Sequence, residues 1–255
     1  MKRTEWVFYR LKHLMVGGAA AGTRTFRITR DEYFVAFRVG YPQTGILCEV
    51  AASTSLPPSH ALTSVQEAEI KQLGFIPPGE TKTFTLIRED VTDDVLQTLA
   101  TMAIKIIEEI FTPATDSAYE FEFYHKGGRT ARALQWIAVS FLRELIANGN
   151  TTGLLTFESG RVYCQFTFIP EKQEIYCELV SNQYLPKDLQ LTPEKITLIT
   201  ACGFQSPIKE GNFNRTYPTG DSKIVENAVQ EILGLFTKAY GLDPIPQFKV
   251  ILTIN

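Results

Sequence analysis

Tyr33, Val35, Phe37 and Val39 alternate with Phe34, Ala36 and Arg38. A period of two predicts a strand with one firmly buried face. Further on, Val95, Leu99, Met102, Ile106 and Ile110 recur at helical spacing, with Leu96, Ala103, Ile107 and Phe111 beside them. That stripe predicts a long helix able to lie fully against a sheet. The same reading gives the first half a helix over 2–15, strands near 24–29, 32–40 and 45–53, and a helix from Thr63 or Ser64 to Leu73. A strand near 81–88 follows, then the long helix after Asp90 with Thr92 as its cap. The last strand alternates Tyr119, Phe121 and Phe123 with Glu120 and Glu122. Gly74 is placed to stop the middle helix in the left-handed conformation. Pro42-Gln43-Thr44-Gly45 predicts a turn, and Leu56-Pro57-Pro58 ends the sheet because proline cannot donate to a ladder.

The apolar rhythm then repeats. Leu62-Thr63 opens a stretch ending in Gly74-Phe75, and Leu191-Thr192 opens one ending in Gly203-Phe204, an offset of 191 − 62 = 129. At that offset Phe37 meets Phe166, Cys48 meets Cys177, Glu49 meets Glu178, Leu56-Pro57 meets Leu185-Pro186, Ile70 meets Ile199 and Phe84 meets Phe213. The second half is therefore predicted as a helix over 131–147, strands near 153–158, 161–169 and 174–181, a middle helix over 191–202, a strand over 213–217, a long helix from Asp221 or Ser222 to Tyr240, and a closing strand with Phe248, Val250 and Leu252. The expected fold class is α+β: two tandem copies of an α-β-β-β-α-β-α-β unit, each an antiparallel sheet backed by helices. The expected domains are 1–126 and 129–255, joined at the polar, glycine-bearing stretch from His125 to Arg129. With turns at 42–45 and 170–173, Phe37 should face Cys48 and Phe166 should face Cys177 across the strands. Both cysteines should then be inward and unreactive.

Composition narrows the class further. The chain has 255 residues, 44% hydrophobic and 21% charged, which is ordinary for a globular protein and enough for two cores. The net charge of −3 gives no basic footprint for nucleic acid. Tyr33, Phe34, Tyr163 and Phe168 could stack bases, but Arg38 is the sole cation nearby, so ordinary packing is the better reading of them. The cations at Lys2, Arg3, Arg10, Lys12, Lys126, Arg129 and Arg132 are expected on solvated helix faces and in the linker. No apolar run reaches the roughly 18 residues of a membrane helix, and Arg10, Lys12 and His13 interrupt what a signal peptide would need to keep apolar. Cys48, Cys164, Cys177 and Cys202 show no CxxC spacing. They are expected as reduced thiols of a cytoplasmic protein, without disulfide or zinc.

Residues with candidate chemistry are few. His13, His60 and His125 have no counterpart histidines and no ligand spacing, and are expected on the surface of a helix and two loops. Glu49 and Glu178 form the acidic pair identical in the two halves. Each follows an inward cysteine, so each should point from the opposite sheet face, toward solvent or a neighbouring cation, with acid/base work the minor alternative. No metal, cofactor or catalytic set is expected. The middle helix of the second half carries Ile196, Leu198, Ile199 and Cys202 where the first carries Glu67, Glu69, Ile70 and Leu73. It is therefore expected to be buried on more of its surface, either under the other half or at a dimer contact.

The second half also carries Tyr184-Leu185-Pro186, Leu191-Thr-Pro-Glu194, Gly203-Phe204, Gly211-Asn-Phe-Asn-Arg215 and Ala239-Tyr240-Gly241. In this order the motifs resemble the bacterial YbjN-type proteins and the wider class that shares the fold of type III secretion chaperones. The first half resembles them more faintly, with Thr83-Phe84-Thr85 where the Asn-Phe-x-Arg element would stand. The resemblance implies small α+β domains that bind extended peptide segments or pair with each other, without catalysis. The expected function is thus a non-enzymatic, chaperone-like module for a protein or peptide partner, a monomer with pseudo-dimeric halves or a homodimer. The alternatives are an accessory subunit of a larger assembly, and a small-ligand or enzyme site between the halves. Ile196, Leu198, Asn212, Arg215, Glu49 and Glu178 are the candidate partner-binding residues.

Overall fold

The computed structural model describes residues 2–15, 22–40, 43–79, 82–126, 131–149, 153–242 and 247–254. The glycine- and alanine-rich residues 17–21, which the sequence predicts as a flexible break, the tip of the 42–45 turn and the 127–129 part of the junction lie outside the described residues. Contacts divide the chain into two compact units, Met1–Gly128 and Arg129–Asn255. His125 and Lys126 belong to the last strand of the first unit rather than to a linker.

The first unit runs α1 (Arg3–Met15), β1 (Thr23–Arg30), β2 (Tyr33–Gly40), β3 (Gln43–Ala51), α2 (Ser64–Gln72), β4 (Thr83–Arg88), α3 (Asp93–Lys105) and β5 (Tyr119–Lys126). Its strands lie in the order β4-β3-β2-β1-β5, each pair antiparallel. The cross-strand row Phe123, Phe26, Phe37, Cys48, Leu86 holds the helix-covered face, and every member is buried. Arg27, Ala36, Glu49 and Thr85 form a row on the opposite face. Thr63 accepts the Gln66 N–H to cap α2, and Thr92 accepts the Val95 N–H to cap α3. Gly74 ends α2 at φ +91°. Past Lys105 the long helix widens into a π turn over Ile106–Ile110, where the Phe111 N–H reaches the Ile106 carbonyl at 2.9 Å. The extra residue turns Ile106, Ile107, Ile110 and Phe111 all into the core. Phe111 then stacks on Tyr33, with ring centroids 4.6 Å apart.

The second unit runs α4 (Ala131–Asn148), β6 (Leu154–Ser159), β7 (Val162–Ile169), β8 (Glu174–Leu179), α5 (Pro193–Ala201), β9 (Phe213–Pro218), α6 (Ser222–Lys238) and β10 (Gln247–Ile254). Its strands lie in the order β10-β6-β7-β8-β9, again antiparallel. Val250, Phe157, Cys164 and Leu179 form a buried row, and Leu252, Leu155, Phe166 and Cys177 form the next. Asp221 caps α6 by accepting the Lys223 N–H at 2.9 Å. Gly203 ends α5 at φ +84°.

Several residues sit deeper than their types suggest. His125 pairs with Arg24 across β5 and β1, and the two are each 3% exposed. They share strand parity with Phe123 and Phe26, so the pleat carries them to the core face. This overturns the expectation of a surface loop histidine. Arg10, expected in solvent, is 6% exposed and lies over the Trp6 ring at 4.4 Å.

Candidate functional site

The cross-strand register places Phe37 opposite Cys48 and Phe166 opposite Cys177, as the hairpin arithmetic predicts. Cys48 is fully enclosed, and burial pushes its thiol well above the usual range. Cys164 and Cys177 are buried diagonal neighbours with sulfurs 3.3 Å apart, both as free thiols. Burial, then the hydrogen bond between them, pushes the Cys164 thiol up. Such thiols are poor nucleophiles, because the reactive form is the thiolate.

Glu49 and Glu178 stand on the opposite face, each with a partner in its own unit. Glu49 pairs with Arg38 at 2.9 Å and accepts from Thr83 at 3.5 Å. Glu178 accepts the Tyr176 hydroxyl at 3.0 Å. Among the described residues no group of three or more His, Cys, Asp or Glu could hold a metal ion, and no helix is long and apolar enough to cross a membrane.

Asn212 and Arg215 connect elements within the second unit. Asn212 accepts the Ser181 N–H at 3.2 Å and donates to the Tyr163 hydroxyl at 3.3 Å, tying β9 to the chain after β8. Ser181 strengthens that tie by donating to the Gly211 carbonyl at 2.6 Å. Arg215 donates to the Cys202 carbonyl at the end of α5 and to Glu231 on α6 at 2.6 Å. A cation at a helix C-terminus also meets the negative end of the macrodipole. The Tyr217 hydroxyl donates to the same Glu231 oxygen at 2.7 Å, and the Arg215 guanidinium lies 4.5 Å from the Tyr217 ring centre. Burial first, then Glu231 among other neighbours, holds the Tyr217 hydroxyl far above its ordinary pKa. One β-strand and two helices are thus locked at the β9 end of the sheet by three side chains and one backbone carbonyl.

The β4 end of the first unit is finished differently. At an offset of 129, Leu86 stands where Arg215 stands, Met102 where Glu231 stands and Arg88 where Tyr217 stands. A cleft of about 160 Å³ lies there, lined by Arg88, Asp94, Val95, Thr98, Leu99 and Met102. On the other sheet face the contrast continues. Ile76 and Ile87 are 63% and 50% exposed, whereas their counterparts are Gln205 and Thr216. Sequence reasoning missed this difference. Its signal was present, since an apolar pair at 86 and 102 becomes opposite charges at 215 and 231.

The strand edges themselves are partly closed. Ile76 exchanges two backbone hydrogen bonds with Thr85 on β4, at 2.8 and 3.0 Å, and Gln205 does so with Asn214 on β9, at 2.8 and 3.1 Å. Self-pairing of this kind guards an edge against indiscriminate strand addition. It also shifts interest from the edge backbone to the surfaces beside it.

The middle helices are alike in depth. Ile70 is the residue buried on α2 and Ile199 the one buried on α5, each at 0% exposure. Ile196 is half-buried and Leu198 is 46% exposed. Within the single chain α5 is thus enclosed no more than α2, although Ile196 and Leu198 stand where α2 has Glu67 and Glu69.

Over residues 139–243 the chain is similar to the family described as TY-Chap3, T3SS (YopN, CesT) and YbjN peptide-binding chaperone 3. That stretch runs from within α4 to just past α6, inside the second unit. No curated protein and no solved structure gives a significant match. The likeness to a peptide-binding chaperone family supports a chaperone-like binding role for a protein partner and points away from catalysis.

Proposed function

We propose that this chain is a cytoplasmic, non-enzymatic module that binds extended peptide segments, built from two copies of one secretion-chaperone-like domain. The observation that carries the reading is the likeness of residues 139–243 to a peptide-binding chaperone family. Two further facts support it. The units, each described alone, follow one strand order. Most large apolar positions alike in both halves are interior: Leu62 and Leu191, Ile70 and Ile199, Phe75 and Phe204, and Phe84 and Phe213 are all buried. A duplicated scaffold that keeps its core and varies its surface suits binding, where specificity comes from surface chemistry. Two binding units on one chain would also raise the effective concentration of the second contact. The test is a panel of immobilised extended peptides probed with the full chain. Retention of a subset with affinity in the micromolar range is expected. Retention no greater than that of scrambled controls defeats the proposal.

A second reading, an accessory subunit of a larger assembly, draws on the second unit's exposed Leu198, Ile208 and Tyr184. It predicts that Leu198→Glu with Ile208→Glu releases one stoichiometric partner while leaving peptide retention intact.

A further inference from the structure

We propose that Cys164 and Cys177 are a redox-responsive pair, which a peroxide joins as an intramolecular disulfide between β7 and β8. The proposal goes beyond the peptide-binding reading and does not depend on it. Cys164 stands opposite Leu179 and Phe166 opposite Cys177, so the two cysteines are diagonal neighbours on one sheet face. Their sulfurs are 3.3 Å apart, and both are free thiols. The first unit keeps only half of this arrangement. At the offset of 129, Cys177 corresponds to Cys48 but Cys164 to Val35. Val35 and Cys48 are both buried. A core of this kind therefore packs with one thiol, and the second thiol adds chemistry rather than packing.

What the pair supplies is a second sulfur already in place. One sulfur, as thiolate, attacks hydrogen peroxide. The S–O bond forms as the O–O bond breaks, and the departing hydroxide leaves as water with the thiol's proton. The other sulfur then attacks the sulfenic acid, and a second water leaves as the S–S bond closes. Two thiols lose two electrons in all, and one peroxide is reduced to two waters. Local opening of the sheet admits an oxidant this small more readily than a bulky thiol reagent. Diagonal partners in an antiparallel sheet have Cα atoms about 7–8 Å apart, beyond the range of about 4.4–6.8 Å usual for a disulfide. Closure therefore pulls β7 and β8 together, and a bond closed under strain is readily reduced again. Cys177 also stands opposite Arg215 on β9. The pull thus arrives beside the lock that holds β9 to α5 and α6.

The experiment treats the folded, reduced full chain with hydrogen peroxide. Remaining thiols are then blocked with N-ethylmaleimide in denaturant and mapped by mass spectrometry without reduction. The expected result is a linked Cys164–Cys177 peptide, with the two thiols lost one for one while Cys48 stays free to react with the maleimide. Dithiothreitol should restore both. Cys164→Val, which keeps the site apolar and installs the first unit's residue, should leave Cys177 as inert as Cys48. Amide exchange over Phe213–Pro218 should change on oxidation and return on reduction. Both thiols intact at a peroxide dose that oxidises the less buried Cys202 would overturn the proposal. So would loss of Cys48 at the same rate as the pair, sulfenic acid accumulating on either cysteine without linkage, or linkage formed only in denaturant. A bond that forms with exchange over β9 unmoved overturns its action on the lock.

Discussion

At one end of the first sheet stand Leu86, Met102 and Arg88; at the matching end of the second stand Arg215, Glu231 and Tyr217. The second set makes directed bonds from one strand to two helices and fills its own space. The first set leaves a cleft of about 160 Å³ with an apolar floor. Beneath both, a buried row carries the same cross-strand pair, Phe37 with Cys48 and Phe166 with Cys177. Two sheets with one strand order thus end differently, one in a polar lock and one in a cleft with an apolar floor. All six cleft-lining residues differ from their counterparts at the offset of 129, which are Tyr217, Lys223, Ile224, Asn227, Ala228 and Glu231.

If the cores are equivalent, the largest expected effects should be equal in the two units. Phe37→Ala and Phe166→Ala each empty a fully buried aromatic site, and each should cost about 3–5 kcal/mol of unfolding free energy. Denaturant titration of the two variants checks this. A small loss at one and a large loss at the other would break the claim of equivalent cores.

The polar lock comes next in size. Arg215→Leu leaves Glu231 part-buried without its cation and should destabilise by roughly 1.5–3 kcal/mol, the range for hydrogen bonds to charged groups. The double change Arg215→Leu with Glu231→Met installs the first unit's pair. Joined with Tyr217→Phe, which removes the buried hydroxyl that Glu231 otherwise accepts, it should recover most of that loss, because apolar residues often replace an ion pair at little net cost. Failure of this combined variant to recover would show that the lock holds the second unit in a way the first does not need.

A smaller effect separates the helix stops. Gly203 and Gly74 both have left-handed backbones, so alanine at either should cost about 1–2 kcal/mol. At Gly203 an added Cβ would also come within 3.3 Å of the Arg215 guanidinium, whereas at Gly74 its nearest neighbour, a Leu86 methyl, is 4.0 Å away. Gly203→Ala should therefore cost more, and the difference should vanish in the Arg215→Leu background.

The last contrast is in pH. All three histidines lie in the first unit. Burial, then the neighbouring Arg10 charge, lowers His13 from 6.5 to about 4. The unfolded chain therefore binds more protons than the folded one between those values, so stability falls as pH drops from 6.5 through about 4. Above 6.5 this contribution is flat. His13→Gln should shallow the slope in that window, read from the fluorescence of the buried Trp6 in a Trp136→Phe background.

Much of this fold was legible in the sequence. Period-two runs such as 33–40, caps at Thr63, Thr92 and Asp221, and stops at Gly74 and Gly203 are local signals, and local signals survive without tertiary knowledge. The Phe37–Cys48 and Phe166–Cys177 registers followed because hairpins fix pairing arithmetically. The π turn was hidden, since Ile106, Ile107, Ile110 and Phe111 are all apolar and a one-residue slip leaves no polar mark. His125 was misread although its parity with Tyr119, Phe121 and Phe123 pointed inward. The Arg215–Glu231 bond spans 16 residues, and its role emerges from comparing the halves position by position.

The most direct test of peptide binding is amide hydrogen exchange on the full chain, with and without the tightest peptide of the panel. The account predicts exchange slowed by the peptide over a contiguous surface that includes part of residues 139–243. Exchange unchanged throughout that stretch at saturating peptide would contradict it.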